Sequence, residues 1–447
     1  MIKTLILCLS LSISSYSVAQ NGKYTNDVRT GCKLWTDNFS ENETMNWAGP
    51  CLNGYANGNG SITWHQNNKK IAVYRGNVRA GKINGAGKLI IYGYAIFKGN
   101  FVNGALNGLG AAYFNNGGKT VGNFSNGNFL NLDAPYLKLL KKEDVALIDS
   151  TGIYGNDDNS TGLFYYLLKP RLAKGAIILL PSTGETAENV ISCNKKLMQL
   201  AYNNNIATAV LSVNFNKSLE SDKQTIDFLE TVFNRLVEKH KLPKNKFILS
   251  GLSLGGCNAL RYTEMSRDST YNTYLKPLAV IGIDPPVDMA DLYNNAKEQI
   301  IEYEKEGSAL SESKKAALNE CYFLIEEFHK QYGGSPIEHP QNYIGGSQFS
   351  RNQTDGGNAK HLLQLPVRLY CDPDILWQLK YKGRDYYHMN AANLSSMINF
   401  LTKKGNKQAE FIPAIGKGFR VDGTRHPHSW SVVDAEGCVK WIRSLIK

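Results

Sequence analysis

Six consecutive residues, Gly251-Leu252-Ser253-Leu254-Gly255-Gly256, have the make-up that can turn a serine hydroxyl into a nucleophile. The pattern G-x-S-x-G is short, and its context gives it meaning. Phe247 to Ser250 reads as a strand and Cys257 to Tyr262 as the start of a helix. Glycines at 251, 255 and 256 leave room for a sharp strand-to-helix turn that strains the serine backbone and exposes its oxygen. The plain alternative is a structural turn without chemistry.

A serine hydroxyl is a poor nucleophile until a base takes its proton. The base should follow the last strand, and of the eight histidines only His426 and His428 lie there, in Arg425-His426-Pro427-His428-Ser429-Trp430. His428 is preferred, because Pro427 restrains the approach to it, with His426 as the alternate. An acid that orients and stabilises the base should follow the preceding strand. Cys371-Asp372-Pro373-Asp374 ends the run Val367 to Tyr370; Asp374 is the candidate acid and Asp372 its alternate. Asp284 and Asp288, after the run Leu278 to Ile283, form a weaker pair, and any of these aspartates could instead make a turn or cap a helix. For the oxyanion, Leu254 offers a backbone N–H by position. Thr183, with Ser182 as alternate, offers another from the loop Pro181 to Thr186. This set needs no metal and no cofactor.

These residues must be carried by a scaffold, and from about Asp144 strand and helix alternate. Val145 to Ile148, Phe164 to Leu168, Ala176 to Leu180, Thr208 to Val213, Phe247 to Ser250, Leu278 to Ile283, Val367 to Tyr370 and Glu410 to Pro413 read as strands. Helical stretches fall at about 186–202, 222–240 and 434–446. That alternation predicts an α/β class with a mainly parallel sheet covered on both faces. A long insertion at about 285–365 carries two charged helical segments and a Gly-, Asn- and Gln-rich tract, Tyr332 to Asn358, which reads as a mobile lid or a poorly packed loop.

Residues 144–447 resemble an α/β-hydrolase, with Ser253, Asp374 and His428 in that family's order of nucleophile, acid and base. The resemblance implies a three-layer sandwich with a helical cap formed by the insertion. It departs at Pro181-Ser182, where many members have His-Gly, and at the acid turn.

A different texture precedes this region. Glycines recur at 76, 99 and 122 and at 81, 104 and 127, each step being 23 residues. Asn-Gly pairs supply the positive φ of tight hairpins, and Ile83, Leu89, Ile91, Phe97 and Phe101 need stacked neighbours to be buried. The cadence Tyr74-Arg75-Gly76 to Gly87, repeated from Phe97 to Gly110, resembles MORN repeats spanning about 54–128. The third copy has Val121 in place of the aromatic. An N-terminal all-β region of short hairpins over 20–130 is expected, followed by the hydrolase-like domain at 131–447. The repeats would serve packing, a channel wall, or protein or envelope contact.

Met1-Ile2-Lys3, the apolar run Leu5 to Ile13 and Ser17-Val18-Ala19 read as an export signal over 1–19, giving a periplasmic or extracellular protein without a transmembrane span. Without Cys8, seven cysteines remain, and Cys32 and Cys51 are close enough in sequence to bridge. The net charge of +11 favours an anionic partner, but the basic residues read as scattered, which argues against nucleic acid. Aromatic residues Phe215, Trp377, Tyr386 and Tyr387 are candidates for a pocket wall. The expected function is a secreted serine esterase acting on a small or polymer-borne ester. The alternatives are an amidase or peptidase with the same residues, or a non-catalytic secreted binding protein.

Overall fold

A computed structural model describes residues 23–27, 29–36, 42–146, 163–212 and 221–447. The export segment, Leu147-Ile148, Val213 and Phe215 lie outside the described residues. Among the described residues no helix is long and apolar enough to cross a membrane.

Alternating apolar residues and Asn/Gly turns build twelve strands before residue 130. A small sheet joins β1 (Lys23–Asn26), β2 (Lys33–Thr36), β4 (Cys51–Leu52) and β5 (Tyr55–Ala56), and a disulfide links Cys32 to Cys51. The larger sheet joins β3 (Glu43–Ala48), β6 (Gly58–Gln66), β7 (Lys69–Arg79), β8 (Lys82–Ile91), β9 (Ala95–Val102), β10 (Ala105–Phe114), β11 (Lys119–Ser125) and β12 (Asn128–Phe129). The 23-residue period is visible as geometry. Ala80-Gly81, Asn103-Gly104 and Asn126-Gly127 all turn with positive φ at both positions, the requirement of a two-residue hairpin. Register sets Gly60, Gly76, Gly87, Gly99, Gly110 and Gly122 opposite one another across six strands. The row must be glycine at Gly87, because Tyr74 lies across it to meet Phe101: a Cβ there would fall 2.2 Å from the Tyr74 hydroxyl.

The same register corrects the reading of scattered charge. Residues 44–132 hold eight basic side chains, at 69, 70, 75, 79, 82, 88, 98 and 119, and no Asp or Glu. Arg75, Lys88 and Lys98 become cross-strand neighbours on the face opposite the apolar core.

The second region is an eight-stranded sheet. Its strands are β13 (Lys141–Asp144), β14 (Phe164–Leu168), β15 (Gly175–Leu180), β16 (Ile206–Leu211), β17 (Phe247–Leu252), β18 (Ala279–Ile283), β19 (Val367–Cys371) and β20 (Ala409–Pro413), in the order β13-β14-β16-β15-β17-β18-β19-β20. β14 pairs antiparallel with both β13 and β16, and β16, β15, β17, β18, β19 and β20 run parallel to one another. Eleven helices are described: α1 (Ala134–Leu137), α2 (Ala187–Cys193), α3 (Lys195–Asn203), α4 (Lys223–Glu238), α5 (Leu254–Met265), α6 (Met289–Glu306), α7 (Glu312–Tyr332), α8 (Pro340–Gly346), α9 (Ile375–Lys382), α10 (Asn390–Lys403) and α11 (Ala435–Leu445). Because successive strand residues point to opposite faces, Ala176, Ile178 and Leu180 pack against α4, α5 and α10. Ile177 and Leu179 pack against α2, α3 and α11. This is the three-layer α/β-hydrolase fold implied by the resemblance.

Between β18 and β19 the insertion forms α6, α7 and α8. Its Gly-, Asn- and Gln-rich tract is not a loose loop. Ser347, Gln348 and Phe349 are buried, and the Asn358 amide donates to the carbonyls of Ile344, Gly345 and Ser347. Polar composition misleads here because the side-chain amide satisfies the buried backbone. The two regions also meet: Lys119 N–H donates to the Asp422 carbonyl at 3.0 Å, and Val421 packs on the repeat core.

Glu264 on α5 is wholly buried, with neither carboxylate oxygen hydrogen-bonded and Arg261 only within 3.7 Å. Burial pushes its carboxyl up to about 8, against the Arg261 charge. A raised carboxyl makes stability fall as pH climbs from the ordinary glutamate range through 8, since the unfolded chain ionises first. Denaturant melts of parent and Glu264→Gln between pH 5 and 9 should show the variant gaining a few kcal/mol relative to the parent over that range. Parallel pH profiles would show that Glu264 ionises freely in the folded protein.

Candidate active site

The turn between β17 and α5 places Ser253 in a conformation that non-glycine residues rarely take, φ 54° and ψ −123°. The flanking glycines are sterically required. A Cβ on Gly251 would sit 2.1 Å from Gly255 C, and one on Gly255 would sit 2.1 Å from Leu180 O and 2.4 Å from Pro181 O. The absence of those side chains lets the elbow press against the loop that follows β15. That contact brings Leu254 to the segment carrying Thr183, and both line one cleft with Ser253.

Leu254 opens α5, so its N–H has no carbonyl four residues back to bind. The Ser182 N–H donates to Glu185 Oε2 at 3.0 Å. Glu185 does more than close this turn. Its carboxylate accepts from Trp430 Nε1 at 3.0 Å and from Asn189 Nδ2 at 2.7 Å, tying the loop to α2 and to the segment of His428. Burial pushes its carboxyl up, with these hydrogen bonds acting the other way. Nothing in the spacing of Glu185 signalled this contact with Trp430, 245 residues on.

His428 Nδ1 and Asp284 Oδ2 are 2.6 Å apart. Asp284 itself has φ 47°, and its other oxygen accepts from Cys371 Sγ at 3.1 Å. The Asp284 N–H donates to the Tyr370 carbonyl, and Asn390 Nδ2 donates to the Asp284 carbonyl. Burial opposes the charged imidazole, but the Asp284 bond and charge outweigh it, so His428 is held above the ordinary histidine value. With Nδ1 held by a carboxylate, Nε2 is the nitrogen left for a substrate-side proton. His426 is different. Its Nδ1 faces the His428 carbonyl at 3.1 Å, its ring packs on Trp377, and burial with the Arg420 charge pushes it down to about 3.

Asp374 does not reach either histidine. Its Oδ1 caps α9 through Trp377 N–H, and its Oδ2 pairs with Arg425 at 2.7 Å. Asp372 accepts from the amides of Gly416 and Gly418 and pairs with Arg425 at 2.8 Å. The two aspartates after β19 therefore fasten the loop that leads to His428, and the carboxylate facing His428 comes from the end of β18. The available signal was Asp284-Pro285-Pro286 directly after a strand, where prolines hold the chain in the bend.

Helices α6 and α7 and the segment 377–390 complete a cleft of about 540 Å³. Of the aromatic candidates, Trp377 lines it, whereas Tyr386 packs into the core and Tyr387 is exposed. Among the described residues no three His, Cys, Asp or Glu side chains group as metal ligands.

No protein-family model matches the chain, and no curated protein sequence matches it. Solved structures do. Carboxyl esterase 2 of the fungus Tuber melanosporum is 15% identical over 69% of this chain and 87% of its own, with a TM-score of 0.42. Esterase B of Lactobacillus Rhamnosis is 12% identical over 69% and 87%, TM-score 0.42. MPT51 of Mycobacterium tuberculosis is 12% identical over 68% and 98%, TM-score 0.39.

The ion pair has a direct readout. In an NMR titration the His428 ring should titrate above the ordinary histidine range, and Asp284→Asn should lower its midpoint by a unit or more, while Asp374→Asn should leave it in place. A midpoint insensitive to Asp284→Asn would mean the 2.6 Å contact is not formed in solution.

Proposed function

We propose that the chain is a serine hydrolase that cleaves carboxylic esters through an acyl-enzyme on Ser253, with His428 as base and Asp284 as its acid. The observation that carries this reading is the 2.6 Å His428–Asp284 contact on the same cleft as a serine held at φ 54°. His428 Nε2 takes the Ser253 proton as Oγ attacks the ester carbonyl. The oxyanion is received by the N–H groups of Leu254 and Thr183. The imidazolium, stabilised by Asp284, then protonates the departing alcohol. Water, deprotonated by the same nitrogen, attacks the acyl-enzyme; collapse of the adduct releases the acid and returns the proton to Ser253.

We also propose that the protein is exported, and the Cys32–Cys51 disulfide supports an oxidising compartment. The amino-terminal hairpins are read as MORN-type repeats, on their 23-residue period of glycines.

Hydrolysis of a panel of aryl and alkyl esters tests the assignment. Ser253→Ala should reduce kcat/KM to background, and Asp284→Asn should cost about 10³- to 10⁴-fold by leaving the base in the wrong tautomer. Asp374→Asn should cost less than about tenfold, because Arg425 keeps Asp372 as a partner. A large loss at Asp374 with little at Asp284 would return the acid to the end of β19. Turnover of amides but not esters would make the enzyme an amidase, and failure of Ser253 to react with a fluorophosphonate probe would favour a non-catalytic binding protein.

A further inference from the structure

The cleft holds cations that ester hydrolysis does not require. Lys382 ends α9, Gly383 turns the chain at φ 66°, and Arg384 follows; Arg420 projects from the hairpin closed by the Phe419–Arg425 bridge. All three line the cleft together with Ser253 and His428.

The carboxylates that share this cleft are committed elsewhere. Asp284 is bound to His428, and Asp372 to two amides and Arg425. Glu320, more than half exposed, lies 3.6 Å from Arg384, whose Nε also donates to Gln299. Among the described residues this leaves the Lys382 ammonium and the Arg420 guanidinium with no hydrogen bond or ion pair from a protein side chain. A partly buried ammonium without an acceptor is costly to maintain, so its counter-charge is expected from outside the chain. The local potential agrees. Burial, with Arg384 and Arg420 nearby, holds the Lys382 ammonium below its ordinary value, and the charge of the half-exposed Glu320 offsets this only in part.

We propose that the ester accepted by this site carries an anionic group, received by Lys382 and Arg420 while its carbonyl lies at Ser253. This rests on the hydrolase reading and narrows its substrate class. The acid-free stretch 44–132 adds positive field that would draw such a substrate to the protein.

Three matched esters test it: phenyl butyrate, phenyl hydrogen glutarate with the charge on the acyl side, and 4-carboxyphenyl butyrate with the charge on the alcohol side. After correction for alkaline reactivity, kcat/KM for one anionic ester should exceed that of phenyl butyrate by about 10- to 100-fold. The doubly charged-to-neutral change Lys382→Met with Arg420→Gln should bring that ratio toward one, and Lys382→Arg with Arg420→Lys should preserve most of it. Which ester is favoured gives the side of the scissile bond, and 4-sulfophenyl butyrate against 4-carboxyphenyl butyrate separates preference for a sulfonate from preference for a carboxylate. Ser253-dependent turnover with no preference for any anionic ester would refute the anion site and leave the hydrolase reading intact. If no ester is turned over, the esterase reading fails and calorimetry decides the site: Ser253→Ala protein should bind phenyl hydrogen glutarate at least tenfold more tightly than the same protein with Lys382→Met and Arg420→Gln. Equal binding by the two would refute it.

Discussion

The site depends on a single backbone hydrogen bond, from Ser253 N–H to the carbonyl of Ile283 at 2.9 Å. It is the last link between β17 and β18 before both chains leave the sheet. On one side it holds the serine in its strained turn; on the other it fixes the strand end from which Asp284 departs at φ 47°. Two non-glycine residues in the left-handed region cost of order 1–3 kcal/mol each. The surroundings that hold them are specific: Gly251, Gly255 and Gly256 remove clashes at Ser253, while the Tyr370 carbonyl and the Asn390 amide hold Asp284.

His428 arrives by a longer route, and its position is built from carboxylates that do not touch it. Asp372 gathers the amides of Gly416 and Gly418, Asp374 and Asp372 share Arg425, and Arg425 donates to the Gly418 carbonyl. Glu185 closes the arrangement from the far side through Trp430. The repeat sheet reaches the same hairpin at Lys119 and Asp422. The amino-terminal region is thus packed against the segment that precedes His428.

Much of this was legible in the residues. The elbow glycines, the pair His426 and His428 and the alternation of apolar runs read directly, because each rests on local geometry. The helix at about 186–202 proved to be two, α2 and α3, since Asn194 breaks the run with its side chain on the Val190 carbonyl. The polar tract after Tyr332 packs for a related reason, which composition does not reveal: Asn358 satisfies three backbone carbonyls of that tract.

Sequence by itself determined the glycine-bounded turn at Ser253, the parallel sheet and the hairpin period, all set by spacings of a few residues or by a repeat. The tertiary structure alone decided which carboxylate meets His428, that the Ser182 amide is taken by Glu185, and that three basic residues from separate strands share one face. Those choices depend on pairs such as Asp284 and His428, 144 residues apart, and on competing partners such as Arg425 that consume the nearer aspartates. Competition among distant partners leaves no local pattern, so it becomes readable only when the chain is folded.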